Sequence, residues 1–258
     1  MSARTVLLEG IRNCRDLGGL TTTDGKTVRY RALLRSANLA HATPADLEKL
    51  TAQYRLSAVI DLRTKMEREQ SPDRLPNGCA DRWEPIFDER AFGITHESDE
   101  PEKPPVELLD MTRNYRLMVT LGPCRLSLGR AVRAVMGSDP ETGAVLWHCS
   151  EGKDRCGVVS ALLLRALSVE PEQIVADYLL TNEVNKARAD FHYHRALDEG
   201  SGEEFARAVR DAFLAKERYL ETTFSVIREN YATFADFLTY GLQIPPETVA
   251  AFRAAYLV

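Results

Sequence analysis

The stretch that most limits what this chain can fold into is residues 144–167, AVLWHCSEGKDRCGVVSALLLRAL. An apolar run stops at His148-Cys149, and a helical pattern resumes after Gly157. That order reads as strand, loop, helix, and the helix is apolar on nearly every side, so it belongs in a core. A helix followed by a strand lies upstream. Thr43-Pro44 supplies an N-cap and a first-turn proline for a helix reaching about Tyr54, and residues 57–62, SAVIDL, follow as a β-branched apolar strand of the parallel-sheet type. With 258 residues and 44% hydrophobic content, the expectation is one α/β domain over residues 1–258: a short, mostly parallel sheet flanked by helices, with helical additions after the loop.

The loop holds Cys149 and, six positions later, Arg155, with Ser150, Glu151, Gly152, Lys153 and Asp154 between them. Five intervening residues can curl into a ring that opens a helix. Such a ring turns backbone N–H groups inward and favours a dianion such as phosphate. The same positive potential stabilises a thiolate, so a cysteine there has its pKa drawn down to roughly 3.5–7.5 and becomes a nucleophile at neutral pH. Arg155 offers a planar fork matched to two phosphoryl oxygens, which a lysine cannot reproduce. Other readings of these residues fail on spacing. The Gly-Lys pair is followed by Asp154 where a nucleoside-triphosphate loop needs Ser or Thr, and no second Cys or His pair completes a zinc site with His148, Cys149 and Cys156. A lone buried cysteine acting as a small hydrophobe would not be accompanied by Gly, Lys, Asp and Arg.

Composition excludes other classes. A formal charge of −5 without a Lys/Arg cluster argues against nucleic acid as the partner. No apolar run approaches the roughly 20 residues of a membrane span, and the first ten residues lack the plan of a signal peptide. Five cysteines, at 14, 79, 124, 149 and 156, do not form a disulfide framework. A reducing, cytoplasmic setting is expected.

Along the rest of the chain, Asp24-Gly25 marks a hairpin turn, and Arg15 with Asp16 reads as a structural ion pair. Asp61 and Arg63 end the 57–62 strand, within reach of the loop, with a structural role expected for both. Residues 83–88, WEPIFD, read as another strand, followed by an acidic, proline-rich stretch to 105. Asp88 at that strand's end is the first candidate for the acid that a phosphate-ester leaving group needs; Asp154 and Asp61 compete with it. Helices are expected over 106–121, 123–136, 171–181, 217–240 and 245–257. Residues 182–213 read as two short helices hinged at Gly200-Ser201-Gly202, with His192 and His194 as solvated residues and not a metal pair.

HCSEGKDRCG resembles the H-C-x-x-G-K-D-R-T-G loop of a microbial family of cysteine-dependent tyrosine phosphatases with a double-helix lid, some of which also accept phosphoserine or phosphoinositides. Residues 13–19, NCRDLGG, resemble that family's N-F-R-D-L-G-G opening, and Leu34-Arg35-Ser36 its L-x-R-S. Two positions depart: Cys14 replaces an aromatic residue, and Cys156 replaces the threonine whose hydroxyl approaches the catalytic sulfur. The resemblance implies a cysteine-phosphatase fold and phosphomonoester hydrolysis without metal or cofactor. It implies Cys149 as nucleophile, Arg155 and residues Ser150, Glu151, Gly152, Lys153 and Asp154 as the phosphate cradle, Asp88 as general acid, and residues 183–214 as lid. Phosphotyrosine proteins are the first expected substrate, with dual-specificity or phosphoinositide activity as the alternative. A sulfurtransferase, which has no use for Asp88, and a non-catalytic phosphate-binding module stay open beside it.

Overall fold

Alternation along very short strands decides which helices pack where. In the computed structural model, which describes residues 4–87 and 110–258, the central strand β5 is Val145–His148. Its neighbours are β2, Leu33–Ser36, and β3, Ala58–Asp61. Val145, Trp147, Leu33 and Ile60 point to one face, and Leu146, Leu34 and Val59 to the other, as the two-residue strand period requires. On the first face lie α4 (Gly122–Met136), α5 (Asp154–Ala166) and α9 (Glu217–Asn230), through Leu128, Val132, Val158, Leu162 and Leu220. The second face is covered by α1 (Pro44–Tyr54), through Leu50, and by Ile11 and Cys14 of the N-terminal segment.

The sheet is completed by β1, Arg15–Asp16, and β4, Ala80–Trp83, in the order β1-β2-β5-β3-β4. Only β1 runs antiparallel; the other four are parallel, so the mostly parallel α/β expectation stands. Ser36 and Asp61 lie opposite His148, one on each side, so the carboxyl ends of β2, β5 and β3 finish at one level. Among the described residues the remaining helices are α2 (Lys65–Gln70), α3 (Thr112–Thr120), α6 (Pro171–Leu179), α7 (Thr181–Asp198), α8 (Glu203–Phe213), the short turn α10 (Phe234–Asp236) running into a π-helix (Phe237–Gly241), and α11 (Pro246–Tyr256). Among the described residues, no helix is long and apolar enough to cross a membrane.

Thr43 caps α1 through a reciprocal box with Asp46, as its sequence signals, and Gly25 adopts φ 80° in the expected turn. Four expectations need correction. The strand near residue 83 lies upstream of 83–88: Pro85 has no N–H to give a ladder, so β4 stops at Trp83, and Ile86 and Phe87 turn into the core. No apolar alternation announced β4, because all four of its residues are exposed on an edge strand. The helix expected over 217–240 is broken after Asn230. Thr233 accepts a bond from the Asp236 amide at 3.0 Å and starts a new turn, which brings Tyr231 edge-on to Phe237. The helix after Gly157 begins earlier, at Asp154.

The fourth correction concerns Arg15 and Asp16, which are not each other's partners. Asp16 accepts the amides of Gly18 (2.9 Å) and Arg31 (2.7 Å). Arg15 instead reaches Asp177 of α6, with Nε 3.2 Å from Oδ1. Asp177 also holds Arg4 at 2.7 Å and Arg35 at 3.3 Å, so one buried carboxylate gathers three guanidiniums. Burial alone would raise its pKa, yet the three arginines hold it down to about 2. Its stabilising effect is therefore complete above the ordinary carboxylate pKa of about 3.9 and is lost only as pH falls toward the folded value. Asp177→Asn should cost about 3–5 kcal/mol, because buried Arg15 and Arg35 lose their counter-charge. Urea denaturation at neutral pH checks this; a loss under 1 kcal/mol would show the cluster is dispensable.

Candidate active site

The residues between β5 and α5 are held by their carbonyls. Ser150 O accepts Asn38 Nδ2 at 3.0 Å, and Glu151 O and Gly152 O accept Asn13 Nδ2 at 3.0 and 3.1 Å. Arg35 Nη2 donates to Gly152 O at 2.7 Å and to Lys153 O at 3.3 Å. A trans peptide points its N–H opposite to its C=O. Anchoring these four carbonyls outward therefore turns the amides of residues 151–154 toward the inside of the ring. Gly152 is required where the loop crosses β2: its φ is 67°, and a Cβ there would lie 2.5 Å from Ser36 O. The two motif arginines, Arg15 and Arg35, thus serve the loop from outside, through Asn13 and the Asp177 cluster.

Cys149 sits at the base of this ring, 3% exposed, with α5 starting five residues on. Its thiol pKa is drawn down to about 6, first by a hydrogen bond from the Cys156 thiol and then by the Arg155 charge, against the opposing effect of burial. Cys156 itself is pushed up well above the ordinary thiol range, chiefly by burial, and stays a neutral donor. Both sulfurs are free thiols. Beneath them, buried His148 places Nδ1 3.3 Å from Cys149 O and Nε2 3.1 Å from Asp73 Oδ2. Burial would lower the imidazole pKa, but Asp73 and Asp61 raise it.

Asp61, Asp73 and His148 bring three ligand atoms within 4.8 Å, but the cluster already contains its cation. Arg63 bonds Asp61 through Nε (2.9 Å) and Nη2 (2.8 Å), and Asp73 through Nη2 (2.6 Å). Asp61 and Arg63 are thus buried supports of the strand end, as expected. Asp88 lies outside the described residues. Asp154, its first competitor, opens α5 and accepts Tyr115 Oη at 2.8 Å; Tyr115 Oη in turn lies 2.6 Å from Tyr178 Oη.

One residue the sequence reading passed over stands in the site. Glu67 of α2 takes Arg155 across both nitrogens, Nη1 to Oε2 and Nη2 to Oε1, each at 2.7 Å, and it also accepts the Ser150 hydroxyl. Burial would raise this carboxyl, but Arg155 holds it at about 2. The T-x-x-E pattern of Thr64 to Glu67 was the available signal, since it announces a helix start soon after Asp61-Leu62-Arg63.

Helices α7 and α8 come up to the loop. Arg188 of α7 pairs with Glu151 at 2.9 Å, and Lys153 Nζ donates to the Ala212 and Leu214 carbonyls at the end of α8. Between them Gly200 and Gly202 adopt φ 68° and 82°, the hinge glycines that sequence indicated. The His192 ring stacks on Phe213 with centroids 4.4 Å apart.

Comparison with known proteins agrees with this geometry. The family model described as tyrosine phosphatase family matches residues 6–258. A candidate tyrosine-protein phosphatase of Cupriavidus necator is 30% identical over 254 residues, covering 96% of this chain and 86% of that protein. The triple specificity protein phosphatase PtpB of Mycobacterium tuberculosis is 31% identical over 198 residues, 68% of each chain. A tyrosine-protein phosphatase of Nostoc commune is 32% identical over 67% of this chain and 55% of that one. Among solved structures, the Siw14 catalytic core aligns with 69% of this chain and 78% of its own at 13% identity and a TM-score of 0.33, a likeness too loose to carry an argument. The chain belongs to the tyrosine phosphatase family and is a hydrolase of the protein-tyrosine phosphatase type.

Proposed function

We propose that this chain hydrolyses phosphotyrosine in proteins through a cysteinyl-phosphate intermediate. The observation that carries the reading is a thiol drawn down to about 6 at the base of a ring whose amides face inward. In the first step the Cys149 thiolate attacks phosphorus, the bond from phosphorus to the tyrosyl oxygen breaks, and a carboxylic acid protonates that oxygen. In the second step water attacks phosphorus, the S–P bond breaks, and the thiolate leaves as inorganic phosphate departs. Arg155 and the amides of residues 151–154 hold the three equatorial oxygens throughout. Asp88 is the proposed acid, with Asp154 as alternative; the same group accepts the proton of the attacking water. Helices α7 and α8, which reach the loop through Arg188 and Lys153, take the part of the 183–214 lid in this reading and lift to admit a phosphotyrosyl side chain.

One relative is named for triple specificity, so the alternative is a broader range that includes phosphoserine, phosphothreonine or phosphoinositides. Lys153 favours the narrower reading. Its amine is engaged by the carbonyls of Ala212 and Leu214 and lies 3.4 Å from Asp154, and a second phosphate would have to compete with those partners. Side-by-side assays on phosphotyrosyl peptides, phosphoseryl peptides and phosphoinositides decide between the two.

The rate of iodoacetamide alkylation should climb with pH and level off through a midpoint near the thiol's pKa of about 6, since the thiolate is the reactive form. Cys149→Ser should remove both that signal and turnover while phosphate-ester binding survives. Arg155→Lys keeps the charge but loses the fork, and kcat should fall by about 10²–10³. A midpoint near the ordinary thiol value, or activity in Cys149→Ser, would sink the mechanism.

The acid is separated from its competitor by leaving-group dependence. Asp88→Asn should lower kcat by about 10²–10⁴ on phosphotyrosyl peptides and much less on an aryl phosphate with an acidic leaving group. If Asp154→Asn shows that contrast instead, the role passes to Asp154.

Cys156 bears on the second step. A thiol is a weaker donor than a hydroxyl, so it stabilises the departing thiolate less. Cys156→Thr should raise turnover and shrink the pool of phospho-enzyme trapped by acid quench; an unchanged pool would mean that another step limits turnover.

A further inference from the structure

Ser150 and Glu151 fill the two open positions of the loop motif, and Glu151 places a negative charge in a loop that receives a dianion. That carboxylate is met from two sides. Oε2 lies 3.3 Å from Nη2 of Arg12, in the segment before β1, and Oε1 lies 2.9 Å from Nη1 of Arg188 on α7. Two guanidiniums share one carboxylate, which leaves one positive charge in excess. We infer that Glu151 is a specificity-determining residue: by occupying Arg12 and Arg188, it turns away phosphate esters that carry a second phosphate beside the reacting one.

Released from Glu151, the two arginines would suit such a phosphate. A guanidinium binds phosphate through paired N–H donors, and two of them converging from different elements match a dianion in charge and in donor number. Each is placed without help from Glu151. The Arg12 carbonyl accepts the Ala37 amide at 2.9 Å, and Cζ of Arg188 lies over the Phe213 ring, 5.5 Å from its centroid. The backbone of residue 151 is likewise held apart from its side chain, since Asn13 Nδ2 donates to its carbonyl at 3.0 Å. His192, one turn along α7, adds little charge at neutral pH, because burial and then Arg195 and Arg188 push its pKa below the ordinary value. The three paired side chains are 29–47% exposed, where ion pairs add little to stability, so the carboxylate acts on what approaches the arginines more than on the fold. A second phosphate has to displace Glu151 or stay beside its charge unpaired. A lone phosphotyrosyl ester has to do neither.

The inference rests on the phosphatase reading, and the experiment separates the two. The full chain turns over a phosphotyrosyl peptide while inositol monophosphate and inositol bisphosphate compete, each also supplied as its short-chain phosphoinositide. The readout is the inhibition constant of the monophosphate divided by that of the bisphosphate. It is defined whether or not either competitor is hydrolysed, and a general loss of activity in a loop variant cancels from it.

Glu151→Gln should raise this ratio by about 10- to 100-fold, since one negative charge is removed and two guanidiniums are released. Adding Arg12→Gln and Arg188→Gln to Glu151→Gln should return it to the wild-type value or below. A ratio that Glu151→Gln leaves unchanged overturns the inference, and so does a rise that survives loss of both arginines. A rise confined to the acylated competitors overturns it too, because it would come from the lipid and not from the second phosphate. Should Glu151→Gln fail to fold, Arg12→Gln in the otherwise wild-type chain decides: it removes the excess positive charge, and the ratio should fall by about 3-fold or more, an unchanged ratio overturning the inference. A wild-type chain that does not hydrolyse the phosphotyrosyl peptide would instead defeat the phosphatase reading, and the inference with it.

Discussion

Everything about this site depends on four carbonyls, those of residues 150–153, being held outward. Inward-facing amides repel one another until an anion arrives, so a ring of them does not form by itself. It has to be built by bonds on the far side of the same peptide planes. Asn13, Asn38 and Arg35 make those bonds, from a segment more than 100 residues away in sequence. Arg35 and Arg15 are like charges in one buried place, and Asp177, which also takes Arg4, offsets part of their repulsion. The cost of assembling the ring is thus met in the fold, before any ligand binds, which is the condition for electrostatic preorganisation.

The side chains of the loop are almost fully paired. Arg155 has Glu67, Lys153 has Asp154 and two carbonyls, and Glu151 bridges Arg188 and Arg12. Little unbalanced side-chain charge is left facing the ring, in a protein whose formal charge is −5. On the proposed reading, the attraction for a dianion comes mainly from backbone N–H groups and the start of α5, which are fixed in direction and short in range. Such a site discriminates by shape at contact and draws little from long-range steering.

The same loop residues serve two neighbours. Glu151 and Lys153 project away from the ring and fasten α7 and α8, while Ser150 and Arg155 fasten α2. Movement of the helical pair would break contacts that end on the loop itself. The placing of α7 and α8 and the set of the loop are thus mechanically linked through the side chains of Glu151 and Lys153.

Much of this was legible in the residues. The strand, loop and helix around Cys149 were readable because each has a local signature: apolar run, glycine in a tight crossing, apolar helix. The proposed chemistry rests on Cys149 and Arg155 lying on one ring. The partners of Arg15 were not legible, since Asp16 is its neighbour in sequence and Asp177 its neighbour in space. Edge strand β4 was missed because exposed charged residues carry no burial pattern, and the break after Asn230 because packing of Tyr231 on Phe237 overrides helical periodicity. Glu67 shows the limit most clearly. The spacing of Thr64 and Glu67 carries a helix start, a short-range hydrogen-bonding matter, though the sequence reading passed over it. That the same carboxylate would also grip Arg155, 88 positions away, was decided by the parallel pairing of β3 with β5, which sets the ends of the two strands side by side.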